Sequence, residues 1–186
     1  MRIIAGSLGG RRLPSPRGRL VRPVGERLRE SVFSALGRAC EGAEVADLFA
    51  GSGAFGFEAL SRGANRVTFV EKRREIGRRL EDSARELGVR ERCSIVCADV
   101  FAYLLRIERP AFDLVFADPP FAAGLADRVF TWWRDYSPEQ SILILKYPAG
   151  ESSPAVETGA GLLKSARFGE SAYAIYLNQP DQRQNG

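Results

Sequence analysis

From Glu44 onward, apolar residues fall into short runs separated by stretches in which they recur every three or four positions. EVADLFA (44–50), RVTFVE (66–71), CSIVCA (93–98), FDLVFA (112–117) and SILILKY (141–147) are nearly continuous in apolar residues, as strands buried on both faces must be. Between them AFGFEALSRG runs helically to Gly63, a charged helix reaches Gly88, a short helix starts at Asp99, and another spans about Gly124 to Asp135. Upstream, Leu28, Val32, Phe33, Leu36 and Ala39 are spaced as one face of a helix from Glu26 to Cys40 that ends near Gly42. Strands alternating with helices at this spacing predict an α/β domain, a parallel sheet covered on both faces. The last stretch, GLLKSARFGESAYAIYLNQ, has two β-type runs around Gly169-Glu170, so the sheet is expected to finish in an antiparallel hairpin. No linker or repeat marks a second domain, and 186 residues with 45% hydrophobic content suffice for one core.

Composition narrows the chemistry. The chain has no histidine, which excludes Ser-His-Asp triads, Cys-His pairs and the usual His-containing zinc sites. Cys40, Cys93 and Cys97 form no C-x-x-C, and the expectation is buried free thiols in a reducing, cytoplasmic compartment. No segment reads as a signal peptide or a membrane span, so a soluble, unexported protein is expected.

The charge is unevenly placed. Residues 1–40 carry nine arginines against Glu26 and Glu30, a local +7, whereas the remainder holds 18 basic and 21 acidic residues. Gly9, Gly10, Pro14, Pro16, Gly18 and Pro23 preclude a long helix there, and the segment reads as a β-hairpin with a basic arm folded against the body. A local basic arm points to a polyanion, although 24 arginines against three lysines also fits a coding bias in a solvated tail.

The loop Asp47-Leu48-Phe49-Ala50-Gly51-Ser52-Gly53-Ala54-Phe55-Gly56 sits where the first strand meets the first helix of the repeating unit, and its glycines satisfy G-x-G-x-x-G. Glu71 ends the next strand, 20 residues after Gly51. Such glycines permit a tight turn and close approach of a ligand, while the acid accepts hydrogen bonds from ribose hydroxyls. A dinucleotide or S-adenosylmethionine would use this geometry. Asp47 favours the second, since a carboxylate beside the loop repels a pyrophosphate and tolerates a cationic amino-acid end. Asp99, closing the third strand, reads either as an acceptor for the adenine amine or as a helix N-cap.

Asp118-Pro119-Pro120-Phe121 follows the fourth strand, at the sheet edge where ligands bind. Two prolines stiffen the turn and remove two N–H donors, leaving the Asp118 carboxylate and main-chain carbonyls as acceptors. That arrangement suits an exocyclic amine, whose hydrogens would go to Asp118 and the Pro119 carbonyl while Phe121 stacks on the base. Holding both hydrogens aims the nitrogen lone pair at a methyl donor, and displacement there requires no histidine. Taken alone, the same tetrapeptide is also a plain rigid turn.

Together these residues resemble Class I S-adenosylmethionine-dependent methyltransferases with a D/N-P-P-F/Y/W motif, and within them the bacterial 16S rRNA (guanine-N2)-methyltransferases of the RsmD type. MRIIAGSLGGRRL, Arg22-Pro23, RLRESVFSAL, DLFAGSGAFGFEALSRGA, Glu71 and FADPPF match in order and spacing. The resemblance implies a Rossmann-like seven-stranded sheet, S-adenosylmethionine as cofactor, and 16S rRNA or a small-subunit assembly particle as partner. The expected cofactor contacts are Asp47, Ala50, Gly51, Ser52, Gly53, Glu71, Asp99 and Asp118. The expected catalytic set is Asp118, Pro119, Pro120 and Phe121, and the expected RNA contacts are Arg11, Arg12, Arg22 and Arg27. Val24-Gly25-Glu26 and Lys146 depart from the pattern, the latter placing a cation where that family usually has an acid.

Residues 1–25 are thus expected to form a basic hairpin and arm, 26–178 the methyltransferase domain and 179–186 a disordered tail. A monomer without metal or membrane contact is expected. The same residues leave open an adenine N6 or cytosine N4 amine in RNA or DNA, a catalytically inactive RNA-binding assembly factor, and a dinucleotide oxidoreductase.

Overall fold

The computed structural model of the protein describes residues 2–13, 25–107, 111–122, 124–154 and 161–179. Among the described residues seven strands form one sheet: β1 (Glu44–Leu48), β2 (Arg66–Val70), β3 (Cys93–Val96), β4 (Leu114–Ala117), β5 (Ile142–Pro148), β6 (Gly161–Phe168) and β7 (Ser171–Leu177), in the order β3-β2-β1-β4-β5-β7-β6. The first five pair in parallel, β7 runs antiparallel to β5, and β6 pairs antiparallel with β7. The helices are α1 (Glu26–Leu36), α2 (Ala54–Ser61), α3 (Arg74–Glu86), α4 (Val100–Leu104) and α5 (Leu125–Tyr136), with a 3-10 turn at Arg90–Arg92. This is the Rossmann-like Class I arrangement that the resemblance implies, with the terminal hairpin where the two β-type runs placed it.

Two apolar cores explain the near-continuous strand hydrophobicity. Alternate residues of one strand face opposite layers. Leu114 and Phe116 of β4 join a cluster with Phe33 of α1, Phe57 of α2 and Leu80 of α3, while Val115 and Ala117 join one with Leu104 of α4 and Trp133 of α5. Helix α1 stops at Leu36, short of the expected Cys40, because Gly37 adopts φ 56° and residues 37–42 continue as turns. No helix among the described residues is long and apolar enough to cross a membrane.

The expected N-terminal hairpin is reduced to a single bridge, Arg2 with Arg12, around a run of turns. What fastens residues 2–13 is a buried carboxylate on α2. Glu58, fully buried, accepts the Ile4 N–H at 2.7 Å and the Ala5 N–H at 3.1 Å, and its other partners are Arg62 at 2.8 Å and Arg29 at 3.7 Å. Arg29 is likewise fully buried and donates to the Arg2 carbonyl. Ser61 accepts the Leu8 N–H, and Gly6 lies so close to the Ser61 carbonyl that a Cβ would come within 2.0 Å of it. Ile3 and Leu13 then complete the core on that face. The arm beyond residue 13 and the tail from residue 180 lie outside the described residues, as do Arg22 and Val24.

Removing one member of a buried ion pair strands the other. Glu58→Ala is therefore expected to cost about 3–5 kcal/mol of unfolding free energy and to open residues 2–13 to proteolysis. Equilibrium denaturation measures this, and a loss below about 1 kcal/mol would contradict the assigned role.

Candidate active site at the sheet crossover

Strands β1 and β4 lie side by side at the centre of the sheet, yet the chain leaves β1 toward β2 and leaves β4 toward β5. The connections diverge, so neither covers the gap between their carboxyl ends, and a crevice opens there. It encloses about 1070 Å³. Single bound ligands typically occupy pockets of ~300–1,000 Å³, which leaves space here for two reacting partners.

One wall is the glycine loop. Gly51, at φ 53°, lines the crevice, while Ala50, Ser52 and Gly53 form the turn that carries it. A Cβ on Gly56 would stand 2.3 Å from the Phe69 ring, so α2 rests on β2 as closely as it does because this residue is glycine. Phe49, also lining the crevice, takes φ 59°, a conformation unfavourable outside glycine and characteristic of functional loops. Glu71 ties the loop to β2: Oε2 accepts the Gly51 N–H at 3.1 Å and Oε1 the Arg73 N–H at 2.9 Å. Each oxygen keeps a lone pair for a further donor.

Asp99 is the helix N-cap, one of the two readings open in the sequence, and it also borders the crevice. Its Oδ1 accepts the Phe101 and Ala102 N–H groups as the N-cap of α4, while the residue also lines the crevice with Oδ2 3.6 Å from Lys72 Nζ. Next to it the Arg128 guanidinium sits over the Phe101 ring, 3.7 Å from its centroid, and Phe49 meets that ring edge-on.

The opposite wall is Asp118-Pro119-Pro120-Phe121, with Phe121 47% exposed. Lys146 of β5 donates to the Asp118 carboxylate, its Nζ 2.8 Å from Oδ1 and 3.1 Å from Oδ2. Burial raises the Asp118 carboxyl above its ordinary value, and the opposing pull of Lys146 does not cancel it. Phe168 and Ser171, at the ends of the β6–β7 hairpin, complete the enclosure.

Comparison with known proteins agrees with this architecture. The family model described as "Conserved hypothetical protein 95" matches residues 1–177. The ribosomal RNA small subunit methyltransferase D of Haemophilus influenzae is 32% identical over 181 residues, covering 96% of this chain and 94% of its own length. Its Escherichia coli K12 counterpart is 31% identical, covering 96% and 90%. The chain belongs to this family.

Among solved structures, the Escherichia coli protein yhhF superposes on this family member with a TM-score of 0.86 at 29% identity, covering 96% of this chain and 98% of its own. An RNA methyltransferase from Salinibacter ruber, solved with S-adenosyl-L-homocysteine, shares the fold at a TM-score of 0.67 and 11% identity, covering 86% and 95%.

Several expected contacts fall elsewhere in this member. Asp47 is buried and does not line the crevice: its Oδ2 accepts the Gly56 N–H at 2.9 Å, anchoring the first turn of α2 on β1. Burial holds its carboxyl well above the ordinary value, and the nearby Asp118 and Glu71 push it in the same direction. Arg11 donates to the Leu87 and Glu86 carbonyls, closing the end of α3, so its guanidinium is engaged by the protein. Arg12 is exposed, and Arg27 lines the crevice beside Gly25, the residue that precedes α1. Cys97 is exposed rather than buried, because β3 ends at Val96 and the chain has already left the sheet. Sequence reasoning missed Phe49, Lys72, Arg128, Phe168 and Ser171. Only Arg128 had a usable signal, one helical turn beyond Leu125 on the crevice side of α5.

A carboxyl with an elevated folded-state value ionises in the unfolded chain first, so stability falls as pH rises from 3.8 toward that elevated value. Asp47→Asn keeps an acceptor for Gly56 and removes the titration. Its stability is expected to decline less steeply as pH rises above about 4, measured by denaturation across a pH series. An unchanged slope would contradict the burial assigned to this carboxyl.

Proposed function

We propose that the chain transfers a methyl group from S-adenosylmethionine to the exocyclic N2 amine of a guanine in small-subunit rRNA. The observation that carries this reading is that the Gly51–Glu71 wall and the Asp118–Phe121 wall face one crevice at the crossover. The residues suit such a cofactor: Gly51 allows close approach, Glu71 retains lone pairs for ribose hydroxyls, and Asp99 presents a carboxylate oxygen for an amine. Asp47 is left out of this set, since α2 occupies it. Relatives named as small-subunit rRNA methyltransferases over nearly the whole chain support the RNA substrate, which would place the protein in the cytoplasm.

Bound in the crevice, the sulfonium supplies an electrophilic methyl group and a neutral leaving thioether. The chain's part is to aim the nitrogen. Asp118 and the Pro119 carbonyl accept the two amine hydrogens, and Pro119 and Pro120 present no competing N–H. Phe121 stacks on a base taken out of its helix. The raised Asp118 carboxyl suits an oxygen that can take the proton released as the new N–C bond forms. Positioning of this kind needs no imidazole.

Labelled methyl transfer to small subunits lacking the modification, followed by nucleoside mapping, tests the reading. N2-methylguanosine is expected, and label in N6-methyladenosine or N4-methylcytidine would overturn the base assignment. Asp118→Ala is expected to bind S-adenosylmethionine by calorimetry while losing turnover on the order of 10²-fold. Full activity would refute its role, and failure of the unaltered protein to bind the cofactor would favour an assembly factor without catalysis.

The basic N-terminal segment supplies phosphate contacts from Arg12, Arg27 and Arg22. Arg12→Ala with Arg27→Ala should weaken RNA binding and reduce the slope of log affinity against log salt by roughly two. Cofactor affinity should change little with salt, and equal salt sensitivity of both ligands would argue against separate sites.

A further inference from the structure

The amine-binding wall contains a cation that the proposed reaction does not use. β4 and β5 run in parallel register with Ala117 opposite Leu145, so the next residues, Asp118 and Lys146, emerge side by side at the mouth of the crevice. The Lys146 side chain is only 18% exposed, and its Nζ lies 5.5 Å from the centroid of the Phe121 ring. Acceptor, donor and stacking surface therefore border the same small space.

We infer that Lys146 reads the base: it donates a hydrogen bond to the ring nitrogen beside the reacting amine, which in guanine is N3. This rests on the function proposed above and names the edge of the base that the same site recognises. In guanine the N2 amine, a donor, is flanked by N3, an acceptor, and by N1–H, a second donor. Asp118 and Lys146, adjacent at 2.8 Å, present the complementary acceptor and donor. An ammonium has three N–H groups and each carboxylate oxygen can accept more than one, so the ion pair persists while both partners bind the base. Lys146 cannot accept from N1–H. Entry by the N1 side would set donor against donor and leave a desolvated cation facing it, so the base enters with N3 toward β5. With Phe121 fixing the plane, the two edge contacts fix rotation within it, which is the orientation that the lone pair requires.

Lys146→Met, Lys146→Gln and Lys146→Arg separate this role from that of a counter-ion for Asp118. Turnover is measured on unmodified small subunits with labelled S-adenosylmethionine, alongside calorimetry with the cofactor and a thermal melt. Lys146→Met is expected to lose about tenfold or more in kcat with cofactor affinity retained. Lys146→Gln, which restores an N–H without charge, and Lys146→Arg should recover most of it. The second measurement uses subunits carrying 3-deazaguanosine at the mapped nucleotide, which lack the N3 acceptor. The unaltered protein should slow on these to a similar degree, and Lys146→Met should be indifferent to the replacement.

Wild-type kcat in Lys146→Met, equal impairment of the Met and Gln variants, or a full rate on 3-deazaguanosine would overturn the inference while label still appeared on guanine N2. Label on adenine or cytosine, or none at all, would overturn the proposed function and this inference with it. The two failures are thus distinguishable by the labelled nucleoside.

Discussion

The crevice exists because two neighbouring parallel strands send their connections in opposite directions. β1 and β4 are paired from Val45–Leu114 to Leu48–Ala117, and beyond those residues the loops part. Everything placed there depends on the strands staying together while the loops stay apart. Gly56 allows the first by letting α2 lie against β2, and the hydrogen bond from its N–H to Asp47 locks that helix to β1. The Glu71 carboxylate meets the second requirement by holding Gly51 back on the β2 side. Asp47 is thus a structural acid beside a crevice that Glu71, Asp99 and Asp118 line.

That concentration of acids shapes the electrostatics of the centre. Burial disfavours ionisation of Asp47, and Asp118 and Glu71 add to it. Lys146 is the local compensation, bonded to the acid nearest the mouth. A desolvated charge pair of this type gains from added hydrogen-bond partners, since unfilled bonding capacity on buried ions is costly. In the proposed reaction, a nucleobase edge offering a donor beside an acceptor would supply both partners at once.

The N-terminal segment obeys a different constraint. Its described arginines include some that the fold consumes and some left for solvent. Arg11 closes α3 and Arg29 lies beside Glu58 in the interior, while Arg12 and Arg27 face outward. The local charge of +7 therefore overstates what a polyanion would meet. The Glu58 network also couples this segment to α2, the helix that follows the glycine loop, so residues 2–13 are tied to one wall of the crevice.

Strand and helix order, the parallel core, the terminal hairpin and the two motifs were legible along the chain, because each rests on local periodicity or on the special backbone of glycine and proline. Strand ends were legible for the same reason: Gly51, Glu71, Asp99 and Asp118 follow apolar runs that had to be buried. What local pattern does not carry is the direction of a side chain relative to a neighbour distant in sequence. Asp47 looked like a ligand contact because it stands four residues before Gly51, and it became an anchor because the N-terminus of α2 folds back above it. Arg11 and Arg29 looked like surface charge until Leu87, Glu86 and Glu58 were brought to them across dozens of residues. Lys146 read as a misplaced cation, and only the β4–β5 register, which sets it beside an acid 28 residues earlier, turned it into part of the wall. The sequence by itself determined the elements, their order and the residue types at the crossover. The tertiary structure decided which of those charges face the crevice and which hold it open, because that choice depends on contacts made only when strands distant in sequence pair.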